Sequence, residues 1–337
     1  MMKKDVTIKD ISEACGVSIA TVSRVINGNG RFSEDTRQRV LAAIDQLGYV
    51  STKTRRGGTS ERLIAIFVNS LDYETASTSV MQLQELLFAH HFASVVCNIG
   101  TRAEKHSYYY GLMLEMGACA IIMMVNVVSP DFHNFAKLPT VYLYKRSLPE
   151  GLQDDHTVII NTNDSAAGYL AAQVLAEAGC RRIGEVRMKS LNDQVPLGRH
   201  LGLLQYIYEH NLEYAQARSV TCEGYQFVSA LRQVNQMLDD GQWADGYFCT
   251  SDILALALIR GLEAHGVRVP EDVKVIGCND MSVALYTNKP ITTIHHRIAD
   301  MCAAAITAIE KMLDGVELAP EERFQTFGVD LVRRQTT

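Results

Sequence analysis

Apolar positions along this chain fall into two textures. From residue 7 to 48 they recur at helical spacing between capping and turn residues, which predicts three short helices. Thr7 with Asp10 reads as a capping-box-like start, followed by apolar Ile8, Ile11 and Ala14 and a break at Gly16. Ser18 caps a second helix with Val22, Val25 and Ile26 facing inward, and Asn27-Gly28 ends it. Ser33 caps a third, with Glu34 and Asp35 in the turn where the helix dipole favours acid. Val40, Leu41, Ile44 and Leu47 form its apolar stripe, and Gly48 stops it. From Leu63 onward short apolar runs alternate with amphipathic stretches. Strands are predicted over 63–68, 94–98, 120–125, 140–144 and 157–160, then over 182–186, 217–222, 246–251 and 273–278. Helices are predicted near 79–92, 103–116, 165–179, 199–210, 225–240 and 252–266. Such alternation implies parallel, doubly wound sheets; two blocks in tandem imply two α/β lobes with a ligand cleft where strand ends meet.

The first two helices and their Gly-containing turn make a helix-turn-helix unit, which lays its second helix in the DNA major groove. The outward side chains of that helix are Ser18, Ile19, Ala20, Thr21, Ser23, Arg24 and Asn27, with Thr7 at the preceding cap. Arg24 alone has a fork suited to guanine O6 and N7, whereas Ile19 and Ala20 can make only apolar contacts, such as with thymine methyl groups. A small helical bundle with no DNA role is the competing reading.

Charge sharpens this picture. The net charge of −6 over 337 residues argues against a generic nucleic-acid binder. It hides 11 Lys and Arg against 7 Asp and Glu in residues 1–62, and 21 against 31 in the remainder. A basic head on an acidic body fits a protein whose head alone approaches phosphate. Composition is ordinary for a globular protein, with 47% hydrophobic and 21% charged residues. No apolar run approaches the roughly 18 residues that span a bilayer, and MMKKDVTIKD lacks the apolar segment of a secretory signal. A cytoplasmic protein at the nucleoid, with no membrane partner, is expected. The eight cysteines are scattered singly at 15, 97, 119, 180, 222, 249, 278 and 302, with no CxxC pair. They predict buried free thiols and no metal site.

The run VTIKDISEACGVSIATVSRVINGNGRFSEDTRQRVLAAIDQLGY resembles the headpiece of the lactose/galactose repressor (LacI/GalR) family almost position by position. The resemblance implies that Ile19, Ala20 and Arg24 choose operator bases. It extends over the body through AAGYLAAQVLAEAGCRRIG, RHLG at 199–202, the TSD segment through VIGCND at 250–280, and PITTIHH at 290–296. It implies an all-α helix-turn-helix headpiece over 1–50, a hinge over 51–62, and a periplasmic-binding-protein-like body over 63–337. One lobe is expected over 63–162 and 292–323, the other over 163–291 and 324–337. The resemblance further implies a homodimeric transcriptional repressor on a pseudo-palindromic operator, controlled by a sugar held between the lobes. Arg199, Ser251, Asn279, Asp280 and His296 are the implied effector contacts. Asp252 adjoins them, and Tyr73 or Tyr144 can stack on a sugar ring. Asp252 and Asp280 are equally readable as helix caps, and His295 and His296 as plain strand ends. Asn279-Asp280 and its flanks resemble repressors of β-galactosidase operons, which implies a galactoside.

Three departures stand out. In relatives the segment after Gly48-Tyr49 holds Pro-Asn and an Ala-Arg-x-Leu hinge whose Leu wedges into the minor groove. Here it reads VSTKTRRGGTSER, with no Leu between Tyr49 and Leu63. Lys53, Arg55 and Arg56 remain as phosphate or minor-groove contacts, or as a plain solvated linker. The aromatic pair usual after the first strand is replaced by NSLDYETAS, and the usual Asp-Arg after the fourth strand by Tyr144-Lys145. No GxGxxG follows a strand and no P-loop occurs, so neither an enzyme nor a cofactor is expected. A DNA-binding regulator without a ligand is the remaining alternative.

Overall fold

The computed structural model describes residues 7–26, 32–47, 62–100, 102–125, 138–145, 155–189, 194–224 and 226–337. The chain divides into two compact units, Met1–Arg62 and Leu63–Thr337.

The first unit is helical. α1 (Ile8–Cys15) opens with a complete capping box: Asp10 N–H donates to Thr7 Oγ1, and the Asp10 carboxylate accepts from Thr7 N–H at 2.6 Å. Gly16 ends α1 at φ 66°, a left-handed cap that a side chain would strain. α2 (Ile19–Ile26) follows, and α3 (Glu34–Leu47) closes the unit. Ile11, Val22, Val25, Val40 and Ala43 form the small core, with Ile8, Cys15, Val17, Phe32, Ile44 and Leu47 packed around it. Ala14 and Leu41, expected inside, are exposed. The 3.6-residue period instead turns Cys15 and Ala43 inward, in phase with Ile8–Ile11 and Val40–Leu47.

The second unit is two α/β lobes. The first lobe's sheet runs β12-β5-β4-β3-β1-β2, from β1 (Arg62–Val68), β2 (Phe92–Asn98), β3 (Ala118–Met124), β4 (Thr140–Leu143), β5 (Thr157–Thr162) and β12 (Phe324–Phe327). Its pairings β1–β3, β3–β4, β4–β5 and β5–β12 are all parallel. α4 (Glu74–Ala89) and α10 (Ile298–Leu313) cover one face, α10 with Ile298, Met301, Cys302, Ala305, Ile306 and Ile309 against Ile64, Ile66 and Ile122. α5 (Ala103–Glu115) packs on the other face through Tyr110 and Met113. β1 and β3 are buried on both faces, which explains their unbroken apolar runs.

The second lobe's sheet runs β13-β11-β10-β9-β6-β7, with β8 (Val220–Cys222) also beside β6. Its other strands are β6 (Arg182–Met188), β7 (Glu213–Tyr214), β9 (Gly246–Cys249), β10 (Lys274–Cys278), β11 (Thr292–His296) and β13 (Val329–Val332). Among the described residues β13 is the one antiparallel strand, at the edge of an otherwise parallel sheet. α6 (Asp164–Glu177) and α7 (Gln194–Glu209) cover one face, α8 (Phe227–Leu238) and α9 (Asp252–Ala264) the other.

The chain crosses between lobes after β5, after β11 and after β12. That corrects the expected division: 292–296 belongs to the second lobe's sheet and 324–327 to the first. The cause is α10, whose apolar face completes the first lobe and so places the crossing after β11.

α6 and α7 approach at backbone contact. A Cβ on Gly168 would lie 1.8 Å from the Arg199 carbonyl oxygen, and one on Gly202 would lie 1.8 Å from that of Ser165. This closeness sets Arg199 of α7 against Asp164 of α6.

Candidate functional site

In the helix-turn-helix unit, Ser18 opens α2 by bonding Thr21 through backbone and hydroxyl, and Ser12 Oγ ties the turn by donating to the Val17 carbonyl at 2.6 Å. Val22 and Val25 are buried, which leaves Ser18, Ile19, Ala20 and Arg24 exposed and Thr21 and Ser23 half-buried. Ile19 is 52% exposed, an uncommon position for an isoleucine unless something is to cover it. Thr7 is exposed but spends its hydroxyl on Asp10. Asn27, Lys53, Arg55 and Arg56 lie outside the described residues.

In the body, strand ends and crossovers converge on Arg199, which is 4% exposed. Its Nε donates to Asp164 Oδ1 at 3.0 Å, and Nη1 to the Thr250 carbonyl at 2.6 Å. Nη2 donates to Asn279 Oδ1 at 3.1 Å and contacts His296 Nε2 at 2.9 Å. A guanidinium has no acceptor, so Nε2 must accept and His296 carries its proton on Nδ1, which donates to Thr162 Oγ1 at 2.7 Å. Burial, and then the Arg199 charge, hold His296 neutral, well below the usual imidazole range. Thr162 ends β5 in the first lobe and His296 ends β11 in the second, so one hydrogen-bonded line crosses between the lobes to the cation. Cys278 Sγ lies 3.4 Å from His296 Nε2, and burial pushes its thiol up to about 12, so no thiolate forms there.

Asn279 and Asp280 also line a cavity of about 430 Å³ between the lobes. Its wall takes Glu74, Thr75, Thr78 and Gln82 from α4 and Arg297 to Asp300 from the start of α10. The Asp280 carboxylate is held by Arg334 Nη2 at 2.5 Å and His295 Nδ1 at 3.2 Å.

The structure therefore joins Arg199, Asn279 and His296, with Asp280 beside them, while Ser251, Asp252 and Tyr144 have hydrogen-bond partners of their own and Tyr73 is exposed. Ser251 is 2% exposed and caps α9, accepting from Leu254 N–H at 3.3 Å. Asp252 is fully buried, accepting from Thr293 Oγ1 at 2.6 Å and Met281 N–H at 2.7 Å. Burial raises its carboxyl to about 7. Tyr144 turns its hydroxyl to Ser79 Oγ at 2.6 Å inside the first lobe, with φ 62°, and burial raises its pKa. Tyr73 stands at the start of α4, 48% exposed. Asp164, Thr162 and Thr250, which complete the cluster, had no signal in the sequence beyond their places at strand and helix ends. Among the described residues no His, Cys, Asp and Glu side chains group to hold a metal, and no helix is long and apolar enough to cross a membrane.

Comparison with known proteins identifies the two parts of the chain. Residues 7–52 match the model of bacterial regulatory proteins of the lacI family, and residues 172–337 that of a periplasmic binding protein-like domain. The HTH-type transcriptional repressor PurR of Actinobacillus pleuropneumoniae serotype 3 (strain JL03) is 28% identical over 295 residues, 86% of this chain and 85% of that protein. Among solved structures, the lac repressor dimer bound to operator and the anti-inducer ONPF is similar with a TM-score of 0.76 at 22% identity, covering 99% of each chain. The transcriptional regulator CelR–cellobiose complex has a TM-score of 0.71 at 24% identity, covering 98% of this chain and 100% of that one. The chain thus belongs to the LacI family of transcriptional repressors, with a helix-turn-helix DNA-binding domain followed by a periplasmic-binding-protein-like ligand-binding domain.

Proposed function

We propose that this chain represses a sugar-utilisation operon and is controlled by a sugar bound between its lobes. The observation that carries the reading is the Arg199 cluster. A buried guanidinium, an amide, a neutral imidazole and a threonine hydroxyl alternate donors with acceptors across the line between lobes. Vicinal hydroxyls offer the same alternation and can exchange with Asn279 and His296 as partners of Arg199. Binding both lobes is what lets a ligand favour one lobe arrangement over another. Ile19, Ala20 and Arg24 read operator bases, and Lys53, Arg55 and Arg56 contact its backbone or minor groove. With no Leu in residues 50–62 to unstack a base step, the operator is bent less than by repressors that carry that wedge.

The repressor acts as a homodimer on a pseudo-palindrome, where the DNA lies. Exposed apolar side chains on neighbouring elements support this: Met81 and Phe88 of α4 are 67% and 78% exposed, and Leu285 and Tyr286 are 53% and 82%. They follow the Ser282 segment that α4 touches through Glu74.

Thermal-shift titration with galactose, galactosides, cellobiose and xylulose, beside hypoxanthine and guanine, tests the effector. Stabilisation by a sugar that is lost in Arg199→Ala supports the reading. The PurR-type relatives favour a second one, a purine effector. Stabilisation by a nucleobase alone selects it, and no stabilisation by either class points to a regulator without a ligand.

A further inference from the structure

Four consecutive backbone N–H groups, from Asn279 to Ser282, each meet a different acceptor. Asn279 N–H donates to the Ile294 carbonyl at 2.8 Å, and Asp280 N–H to Thr293 Oγ1 at 3.3 Å. Met281 N–H donates to Asp252 Oδ2 at 2.7 Å. These three acceptors belong to the second lobe. The fourth does not: Ser282 N–H donates to Glu74 Oε1 at 2.6 Å, on the first turn of α4 in the first lobe. Ser282 Oγ donates to Glu74 Oε2 at 3.0 Å, so the carboxylate is gripped at both oxygens. Glu74 itself sits where the dipole of α4 favours a negative charge.

The segment that makes this bridge is strained. Asn279 at φ 98° and Asp280 at φ 53° are successive non-glycine residues in the left-handed region. That conformation persists only where surrounding contacts over-determine it. One of those contacts is the Asn279 side chain, which accepts from Arg199 Nη2 at 3.1 Å. A single four-residue turn therefore touches the buried cation at one end and the opposite lobe at the other.

We propose that Asn279–Ser282 is a latch that couples events at Arg199 to closure of the two lobes, with Glu74 as its catch on the first lobe. The proposal rests on reading the Arg199 cluster as the effector site. A ligand group that takes the Arg199 Nη2 proton from Asn279 removes one restraint on the left-handed turn. The turn then re-aims the Ser282 N–H and hydroxyl relative to Glu74. In the other direction, engagement of Ser282 by Glu74 holds Asn279 against Arg199. Bistable elements of this kind turn a small local shift into movement of a lobe.

Hydrogen exchange of the full-length protein without any effector tests the coupling. In Glu74→Ala, amides over 279–286 and those at the start of α7 around Arg199 are both expected to exchange about fivefold faster or more, since two hydrogen bonds to a half-exposed charge are lost. Glu74→Gln, which keeps a carbonyl acceptor for Ser282, recovers part of that protection. The reciprocal variant is Asn279→Gly. Glycine takes φ 98° without strain, so it removes the side chain from Arg199 without unfolding the turn, and faster exchange at Ser282 is expected. A change confined to 279–286 in Glu74→Ala, or unchanged exchange at Ser282 in Asn279→Gly, overturns the latch. Because no effector is used, that failure leaves the effector reading standing, whereas a failed ligand panel removes the effector that would work the latch without changing the exchange coupling between Glu74 and Arg199.

Discussion

The two proposed recognition sites, the exposed face of α2 and the Arg199 cluster, hold their side chains in opposite ways. On α2 the side chains proposed to read DNA are left outside: Ile19 is half exposed, Arg24 is exposed, and among the described residues a core of five buried side chains supports them. In the body the Arg199 cation is 4% exposed and already bonded to Asp164, Thr250, Asn279 and His296. The first arrangement adds contacts when a partner arrives. The second exchanges contacts, so its ligand must replace bonds of equal quality and thereby disturb whatever those bonds hold. An exposed reader suits fixed recognition, and a saturated buried one suits a switch.

The largest effect that separates the two should come from truncating their arginines. Arg199→Ala takes the Arg199 donor away from the buried Asp164 carboxylate and His296 Nε2 and from the half-buried Asn279 oxygen. We expect a loss of about 3–5 kcal/mol in the urea-induced unfolding of the body. Arg24→Ala should change stability by less than about 0.5 kcal/mol, as surface substitutions do. Comparable losses from both would erase the contrast. Next in size, Gly168→Ala must push α7 away from α6, because its Cβ would sit 1.8 Å from the Arg199 carbonyl. A cost of about 1–3 kcal/mol is expected, with weakened effector binding, by denaturation and calorimetry. For DNA the order reverses: Arg24→Ala should weaken specific operator binding by about 1–3 kcal/mol in fluorescence anisotropy, and should relax preference at one base position.

A smaller and slower effect lies in pH. His296 is neutral when folded, with its pKa well below 6.5, and burial lowers His106 to about 4. Below pH 6.5 the unfolded chain binds protons there that the folded chain refuses, so these groups make stability fall on acidification. Asp252 works in the opposite sense. Its folded pKa is raised from 3.8 to about 7, so its contribution grows as pH falls through that window. His296→Gln should therefore flatten the acid-side loss, and Asp252→Asn should steepen it, each by at most about 1.4 kcal/mol per pH unit. Equal slopes in all three proteins would mean that neither group is held as its burial implies.

Much of this was legible in the sequence, for physical reasons that differ between the regions. Local signals determine the headpiece: the Thr7–Asp10 capping box, Gly16 and the Ser33 cap act within a few residues, and the three helices form where they point. Among the described side chains the period misplaced Ala14 and Leu41, because a helix of two to four turns leaves one or two residues of slack in its phase. In the body, the alternation of apolar runs and amphipathic stretches located β1 to β6, β9 and β10 and their helices. The lobe boundaries were misread because α10 has apolar residues on most sides and no polar punctuation marks which lobe it covers. Arg199 and His296 stood out by their resemblance to known relatives. Asp164, Thr162 and Glu74 did not, since their roles depend on partners 35, 134 and 208 residues away. Ser251 and Asp252 were expected as ligand contacts, with Asp252 equally readable as a helix cap; in the structure Ser251 caps α9 and Asp252 accepts from Met281 N–H.

The most direct test joins the two regions in one titration. DNA from upstream of this chain's own operon is titrated with full-length protein by fluorescence anisotropy, with and without the sugar that stabilises it, for the wild type, Arg24→Ala and Arg199→Ala. The expected outcome is a double dissociation: the wild type binds and the sugar changes its affinity tenfold or more, a coupling of about 1.4 kcal/mol. Arg24→Ala loses the DNA while the sugar still stabilises it, and Arg199→Ala keeps the DNA but no longer responds. Sugar-independent binding by the wild type, or an undiminished response in Arg199→Ala, would contradict the assignment of reading to α2 and switching to the Arg199 cluster.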